Sequence, residues 1–218
     1  MRTMSGLLAL GAMVTLAGRL PAQGGALRAG AAVRTASVAT SLPADSRQGF
    51  WMGAGLGAGA GSMHCGICEH EKEQGTSGYF RAGTTINRRF LLGFEGSGWQ
   101  RTTSDAGKRR LLSLTGGAWW YPNERHGYFL RWGAGVSRWR ASQENEAITS
   151  QAVALVVGVG YEVRVNPKLS IVPYLNALGS SKGAMWLENR DDVSFERLKL
   201  PSGGHAVLFQ LGLGITRH

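Results

Sequence analysis

The residues best equipped for chemistry in this chain are His64-Cys65-Gly66-Ile67-Cys68-Glu69-His70. Both cysteines of the chain stand here, separated by two residues. In an oxidising compartment that spacing favours a Cys65–Cys68 disulfide closing a tiny loop. His and Cys are also zinc ligand types, but four ligands within one short run would be cramped, so the reading is a loop disulfide and no metal. A redox-active pair asks for a βαβ setting that is missing. Serine hydrolysis would need a histidine beside a serine and an orienting acid. The histidines are His64, His70, His126, His205 and His218. Ser202 lies three residues from His205, a spacing that puts the two side chains on opposite faces of a strand. No catalytic set and no cofactor site follow. A second group is electrostatic: Arg81, Glu95, Arg131, Glu162 and Arg164 stand inside otherwise apolar or glycine-rich stretches. Opposite charges enclosed together compensate one another.

Alternation in steps of two shows what must position these residues. In 152–165, Val153, Leu155, Val157, Val159, Tyr161, Val163 and Val165 share one parity, and Ala152, Ala154, Val156, Gly158, Gly160, Glu162 and Arg164 the other. In 205–217, Val207, Phe209, Leu211, Leu213 and Ile215 oppose Ala206, Gln210, Gly212, Gly214 and Thr216. A strand sends alternate side chains to opposite faces, so one face is greasy and the other small, polar or charged. That is the pattern of a strand with lipid on one side and a crowded polar lumen on the other.

Eight such segments are expected: 48–60, 76–87, 89–101, 109–121, 127–140, 149–165, 168–178 and 205–217. Long or medium connections (61–75, 102–108, 141–148, 179–204) alternate with short ones (87–89, 122–126, 166–167). An all-β, eight-stranded, antiparallel, up-and-down transmembrane β-barrel has that rhythm, and at this size side chains fill the interior. The glycine-rich first and last strands, with Gly53, Gly55 and Gly57 against Gly212 and Gly214, should meet and close it. The charges segregate as a barrel requires. Arg81, Glu95, Arg131, Glu162 and Arg164 all carry inward parity, whereas an arginine facing lipid at mid-membrane costs roughly 2–4 kcal/mol. Arg110, Arg138 and Arg217 carry outward parity near strand ends, where that cost fades. Phe50, Phe90, Trp120, Tyr128 and Tyr161 fall on the outward face near the short turns, as an interfacial aromatic girdle does.

The N-terminus reads as an address. Arg2, the apolar run Leu7–Gly18 and the small residues up to Gly24 make a secretory signal peptide, with cleavage after Ala22 or Gly24. Residues 1–22 are read as signal peptide, 23–47 as a flexible leader and 48–218 as the barrel. The formal charge is +10 with 33 glycines, but the basic residues form no run or helix face. Nucleic acid is therefore not an expected partner; solubility is one reading of the charge, and contact with phosphate-rich lipid headgroups is the sharper one.

By pattern more than by motif, residues 48–218 resemble the small eight-stranded outer-membrane β-barrels, the OmpA-transmembrane and OmpX-like group. The ending Ile215-Thr216-Arg217-His218 departs from the terminal aromatic with alternate apolar residues usual there. The resemblance implies an integral outer-membrane protein of Gram-negative-type bacteria with both termini periplasmic. It implies outer-membrane lipid, lipopolysaccharide and the barrel-insertion machinery as partners, and an interior ion-pair network of Arg81, Glu95, Arg131 and Glu162. The function expected is non-enzymatic, structural or surface-interacting through the outer loops, with 179–204 (Trp186, Phe195, Asp191-Asp192) either the foremost contact or only an extension of two strands beyond the membrane; no extracellular partner is named by the sequence. The alternatives are a lipid A-modifying barrel enzyme and a soluble lipocalin-like carrier, the latter suggested by Gly49-Phe50-Trp51.

Overall fold

The structure, a computed structural model, describes residues 47–66, 72–103, 107–143, 146–190 and 195–218. The signal peptide, most of the leader, Cys68, His70 and the Asp191-Asp192 pair lie outside the described residues. The strands are β1 (Phe50–His64), β2 (Glu73–Asn87), β3 (Phe90–Thr103), β4 (Gly107–Trp120), β5 (Tyr128–Gln143), β6 (Glu146–Tyr161), β7 (Val163–Asn166), β8 (Leu169–Ser180), β9 (Ala184–Arg190), β10 (Phe195–Lys199) and β11 (His205–Arg217). Neighbours pair antiparallel from β1 to β6. The ring then closes through β6–β8, β8–β11 and β11–β1, so the barrel has eight staves. β7 continues the β6 stave past Glu162 and pairs with β8. No polar backbone edge is left within the ring, which lipid demands of any spanning sheet.

Closure runs through glycine as expected: Gly55 opposes Gly214 and Gly57 opposes Gly212. At Gly57 a Cβ would collide with the Leu211 carbonyl and the Gly212 backbone, so this approach admits no side chain. The short turns share one device. The amides of Arg89 and Phe90 donate to Asn87 Oδ1, Arg125 N to Asn123 Oδ1 and Lys168 N to Asn166 Oδ1, each at 2.9 Å. Asparagine holds such turns by standing in for a backbone carbonyl.

The wide connections are narrower than the sequence suggests. β1 runs to His64 and β2 begins at Glu73, β3 and β4 extend to Thr103 and from Gly107, and β5 and β6 reach Gln143 and Glu146. Backbone pairing continues upward after the apolar alternation has ended. Residues 179–204 hold the two-strand extension. β9 and β10 form a hairpin, and β9 takes the upper half of β6 (Glu146–Gln151) as partner while β8 takes Ala154–Gly160.

The outward face is apolar: Leu56 is 78% exposed, Phe94 68% and Leu211 64%. The inward face is fuller and greasier than the small, polar one expected. Trp51, Leu91, Trp119, Tyr121, Phe129 and Val172 pack together toward the short turns, and Trp99, Leu111, Trp139, Leu178, Met185 and Leu208 toward the long connections. The inward glycines are the other half of this packing. The Trp99 ring lies 3.3 Å from where a Cβ of Gly61 would be, its Nε1 donates to the Gly59 carbonyl at 3.0 Å, and it stacks on Trp139 at 5.4 Å. Glycine on one stave makes room for tryptophan on another.

Candidate functional site: the enclosed charges of the lumen

Between the two apolar layers lies a polar one. Arg81 on β2 faces Glu95 on β3, and Glu95 faces Thr115 on β4. Arg131, from β5, reaches Glu95 Oε1 at 2.5 Å and donates to Thr115 Oγ1 at 3.0 Å. Both Glu95 and Arg131 are sealed from solvent. Arg81 donates to Thr216 Oγ1 on β11 at 2.7 Å. Its guanidinium carbon sits 5.0–5.9 Å from the ring centres of Tyr79, Phe129, Trp51 and Trp119. Aromatic faces attract a cation electrostatically, so Arg81 is held by rings and a hydroxyl, with Glu95 across the strand pair.

Glu162 belongs elsewhere. It stands between β6 and β7, outside the spanning strands and beyond Tyr161, at the short-turn rim. Arg47 Nε donates to its Oε2 at 3.1 Å, Tyr121 Oη donates to its Oε1 at 2.6 Å, and His218 Nε2 lies 3.2 Å from Oε1. Arg47 also donates to the His126 carbonyl at 3.2 Å and lies 3.8 Å over the Tyr121 ring. Burial by itself would raise the Glu162 carboxyl; the His218 hydrogen bond and charge, then Arg47 and Tyr121, outweigh it and bring it to about 2. Burial, followed by the Glu162 charge, pushes the Tyr121 phenol well above its ordinary value. The expected four-residue network is thus two clusters: Arg81, Glu95 and Arg131 in mid-lumen, and Glu162 at the rim.

Arg47, Tyr121 and His218 were not among the expected site residues. Tyr121 and His218 were legible, since each continues the inward parity of its strand (Trp119 to Tyr121, Thr216 to His218). Arg47 falls in the expected leader, where no periodicity marks it, yet it is 2% exposed and part of the barrel end. The outward aromatics Phe50, Phe90, Trp120, Tyr128 and Tyr161 sit at that same end. Phe90 stacks on Trp120 at 6.4 Å, Tyr128 opposes Tyr161, and Phe50 is exposed opposite Thr84.

At the opposite mouth His64 stacks on His205 at 4.9 Å, and Cys65 is buried beside them in a layer with Met63 and Met185. Among the described residues no cysteine is free, but the Cys68 half of the expected pair lies outside them. No group of metal-ligating side chains is gathered among the described residues. Glu73 and Arg109 form an ion pair inside this mouth.

No family model matches the chain, and no curated protein matches it. Among solved structures, Neisserial surface protein A is 15% identical, with 78% of this chain and 97% of that one covered at a TM-score of 0.55. The chain has the fold of the small eight-stranded outer-membrane β-barrels. Outer membrane protein OprG from Pseudomonas aeruginosa is 9% identical (79% and 97% covered, TM-score 0.46), and the attachment invasion locus protein Ail of Yersinia pestis 16% identical (78% and 99% covered, TM-score 0.43). The soluble-carrier alternative meets a direct obstacle in this fold. A lipocalin-like pocket would have to be lined by Arg81, Glu95 and Arg131, while Leu56, Phe94 and Leu211 stood in water.

Proposed function

We propose that this chain is an integral barrel of a bacterial outer membrane, with both termini on the periplasmic side, and that it works without catalysis as an anchor presenting its long connections outside the cell. The observation that carries this reading is the inversion of faces: an exposed apolar belt encloses a lumen in which Arg131 pairs with Glu95 and Arg81 is sealed among aromatic rings. Residues with 40–80% exposure, such as Phe80, Leu112, Val136, Leu155 and Leu213, would be costly in water and are at home in lipid. Packed layers above and below the Arg131–Glu95 pair favour a closed anchor over an open pore. Cys65 and Cys68 are assigned to a disulfide closing a tiny loop within the first outer connection, and the β9–β10 hairpin is the foremost surface for contact.

Fractionation of expressing cells, followed by gel electrophoresis of boiled and unboiled samples, tests the reading. A closed membrane barrel is recovered in the outer-membrane pellet and changes apparent size on boiling. Recovery in the soluble periplasmic fraction with no heat-dependent shift would overturn it.

A further inference from the structure

The seam that closes the barrel ends in a pair of imidazoles. On the outward side of β1 and β11 the register sets Leu56 against Leu213 and Ala60 against Phe209, and the same row ends with His64 opposite His205. Two of the five histidines of the chain therefore meet only because its first and last strands pair. β1 is 15 residues long, so at about 3.3 Å per residue and a tilt near 40° His64 stands about 35 Å above Phe50. A lipid-facing band is about 25 Å tall, and the pair clears it into water. Both side chains are half-buried, open to solutes on their outward side.

The two rings lie nearly parallel, with 11° between their planes and 4.9 Å between their centres. The backbone that carries them is fixed from within. Met63 and Ala206, their inward neighbours, belong to the buried upper layer. Cys65 enters that layer where Gly204 leaves room, since a Cβ there would run into the Met63 methyl group and lie 3.5 Å from Cys65 Cβ. The imidazoles are thus held side by side before any ligand arrives, which lowers the cost of binding one. Two nitrogen ligands of one ion, each at about 2.1 Å, stand about 3.4 Å apart in a tetrahedral arrangement. Tilting the facing ring edges together brings one nitrogen of each ring to that separation. The second nitrogen of each ring stays available for a hydrogen bond, the usual arrangement at a metal-bound histidine.

We propose that His64 and His205 bind one divalent first-row transition-metal ion, Cu2+ most tightly, with water completing its coordination. Imidazole suits copper, nickel and zinc, whereas Mg2+ and Ca2+ require oxygen ligands. No third protein ligand is gathered beside the pair among the described residues, so the site is open and its ion exchangeable. Its ligands come from the first and last strands, so a bound ion clips the closing seam, and an ion held only by the folded state stabilises that state. The inference rests on closure of the barrel and not on the membrane placement proposed above.

The test uses the untagged full-length barrel in uncharged detergent, with His64→Ala, His205→Ala and the control His126→Ala. Binding of Cu2+, Ni2+ and Mg2+ is followed by titration calorimetry, and the copper complex by electron paramagnetic resonance. Wild type and the control should bind one Cu2+ alike, Ni2+ more weakly and Mg2+ not at all. His64→Ala and His205→Ala should each bind Cu2+ at least about tenfold more weakly. Saturating Cu2+ should delay urea unfolding of wild type and of neither single variant. Heat-dependent mobility of each variant shows that lost binding is not lost fold. The wild-type spectrum decides independently of any variant: coupling to two imidazole nitrogens is expected, and coupling to one, or sulfur ligation, would overturn the site. Undiminished binding by both single variants would overturn it as well. Loss on His64→Ala with none on His205→Ala would put the ion in the first outer connection and overturn the pairing.

Discussion

The lumen and the outward upper rim treat arginine in opposite ways. Inside, Arg131 meets Glu95 at 2.5 Å, Arg47 meets Glu162 at 3.1 Å and Arg109 meets Glu73. Each enclosed pair is close and brings together one carboxylate and one guanidinium. Outside, three guanidiniums share Glu188 at 3.5–3.9 Å and Arg110 faces Arg140. Desolvation costs several kcal/mol per ion, offset for Arg131 by a close carboxylate and for Arg81 by four aromatic rings and the Thr216 hydroxyl. Charge at a rim stays hydrated and is free to remain loosely paired.

The comparison breaks most visibly if arginine is moved to the middle of the outward face. Leu211→Arg with Leu213→Arg places two cations on residues 64% and 63% exposed, each costing about 2–4 kcal/mol at the bilayer midplane. Loss of folded barrel from the membrane pellet is expected; normal yield would reverse the assignment of faces. Next in size is Glu95→Ala, which strands Arg131 in the closed lumen. Removing one partner of a buried pair costs about 3–5 kcal/mol, read as an earlier urea midpoint by tryptophan fluorescence.

The rim carboxylate sharpens the contrast through pH. Glu162 is held at about 2 against an ordinary 4.5. A depressed carboxyl stabilises the fold fully above its unfolded value and loses that contribution as pH falls through the folded one. Wild type should therefore out-melt Glu162→Gln at about pH 5, with the margin shrinking as pH falls from 4.5 toward 2. A margin independent of pH would show that Arg47, Tyr121 and His218 do not act through charge. The smallest effect belongs to Glu188→Gln. Its arginines are nearly half exposed, so solvent screening limits the loss to about 1 kcal/mol or less.

Much of this fold was legible because a period of two ties each residue to a face. Closure of Gly55 and Gly57 on Gly214 and Gly212, the inward setting of Glu95 and Arg131 and the outward setting of Phe90, Trp120, Tyr128 and Tyr161 near the short turns all follow from parity and turn spacing. Three things were not legible. Glycine runs suggest a small, polar lumen, but a glycine records only the room it leaves, not the Trp99 ring that fills it from another stave. Parity places Glu162 inside without choosing between Arg131 in mid-lumen and Arg47 at the rim, since height depends on shear between staves. The β9–β10 hairpin takes its place from pairing with the upper half of β6, which the short, mixed pattern of 184–199 does not announce.

The inside–outside assignment is the claim on which all else stands, and tryptophan makes it measurable. Trp132 is 44% exposed on the apolar belt, whereas Trp119 is 1% exposed in the lumen. Variants retaining only one of these tryptophans would be folded into vesicles of acyl-brominated phosphatidylcholine and of its unbrominated counterpart. The account predicts strong quenching of Trp132 by the brominated chains and near-native emission from Trp119. Quenching of Trp119 with Trp132 spared would contradict it.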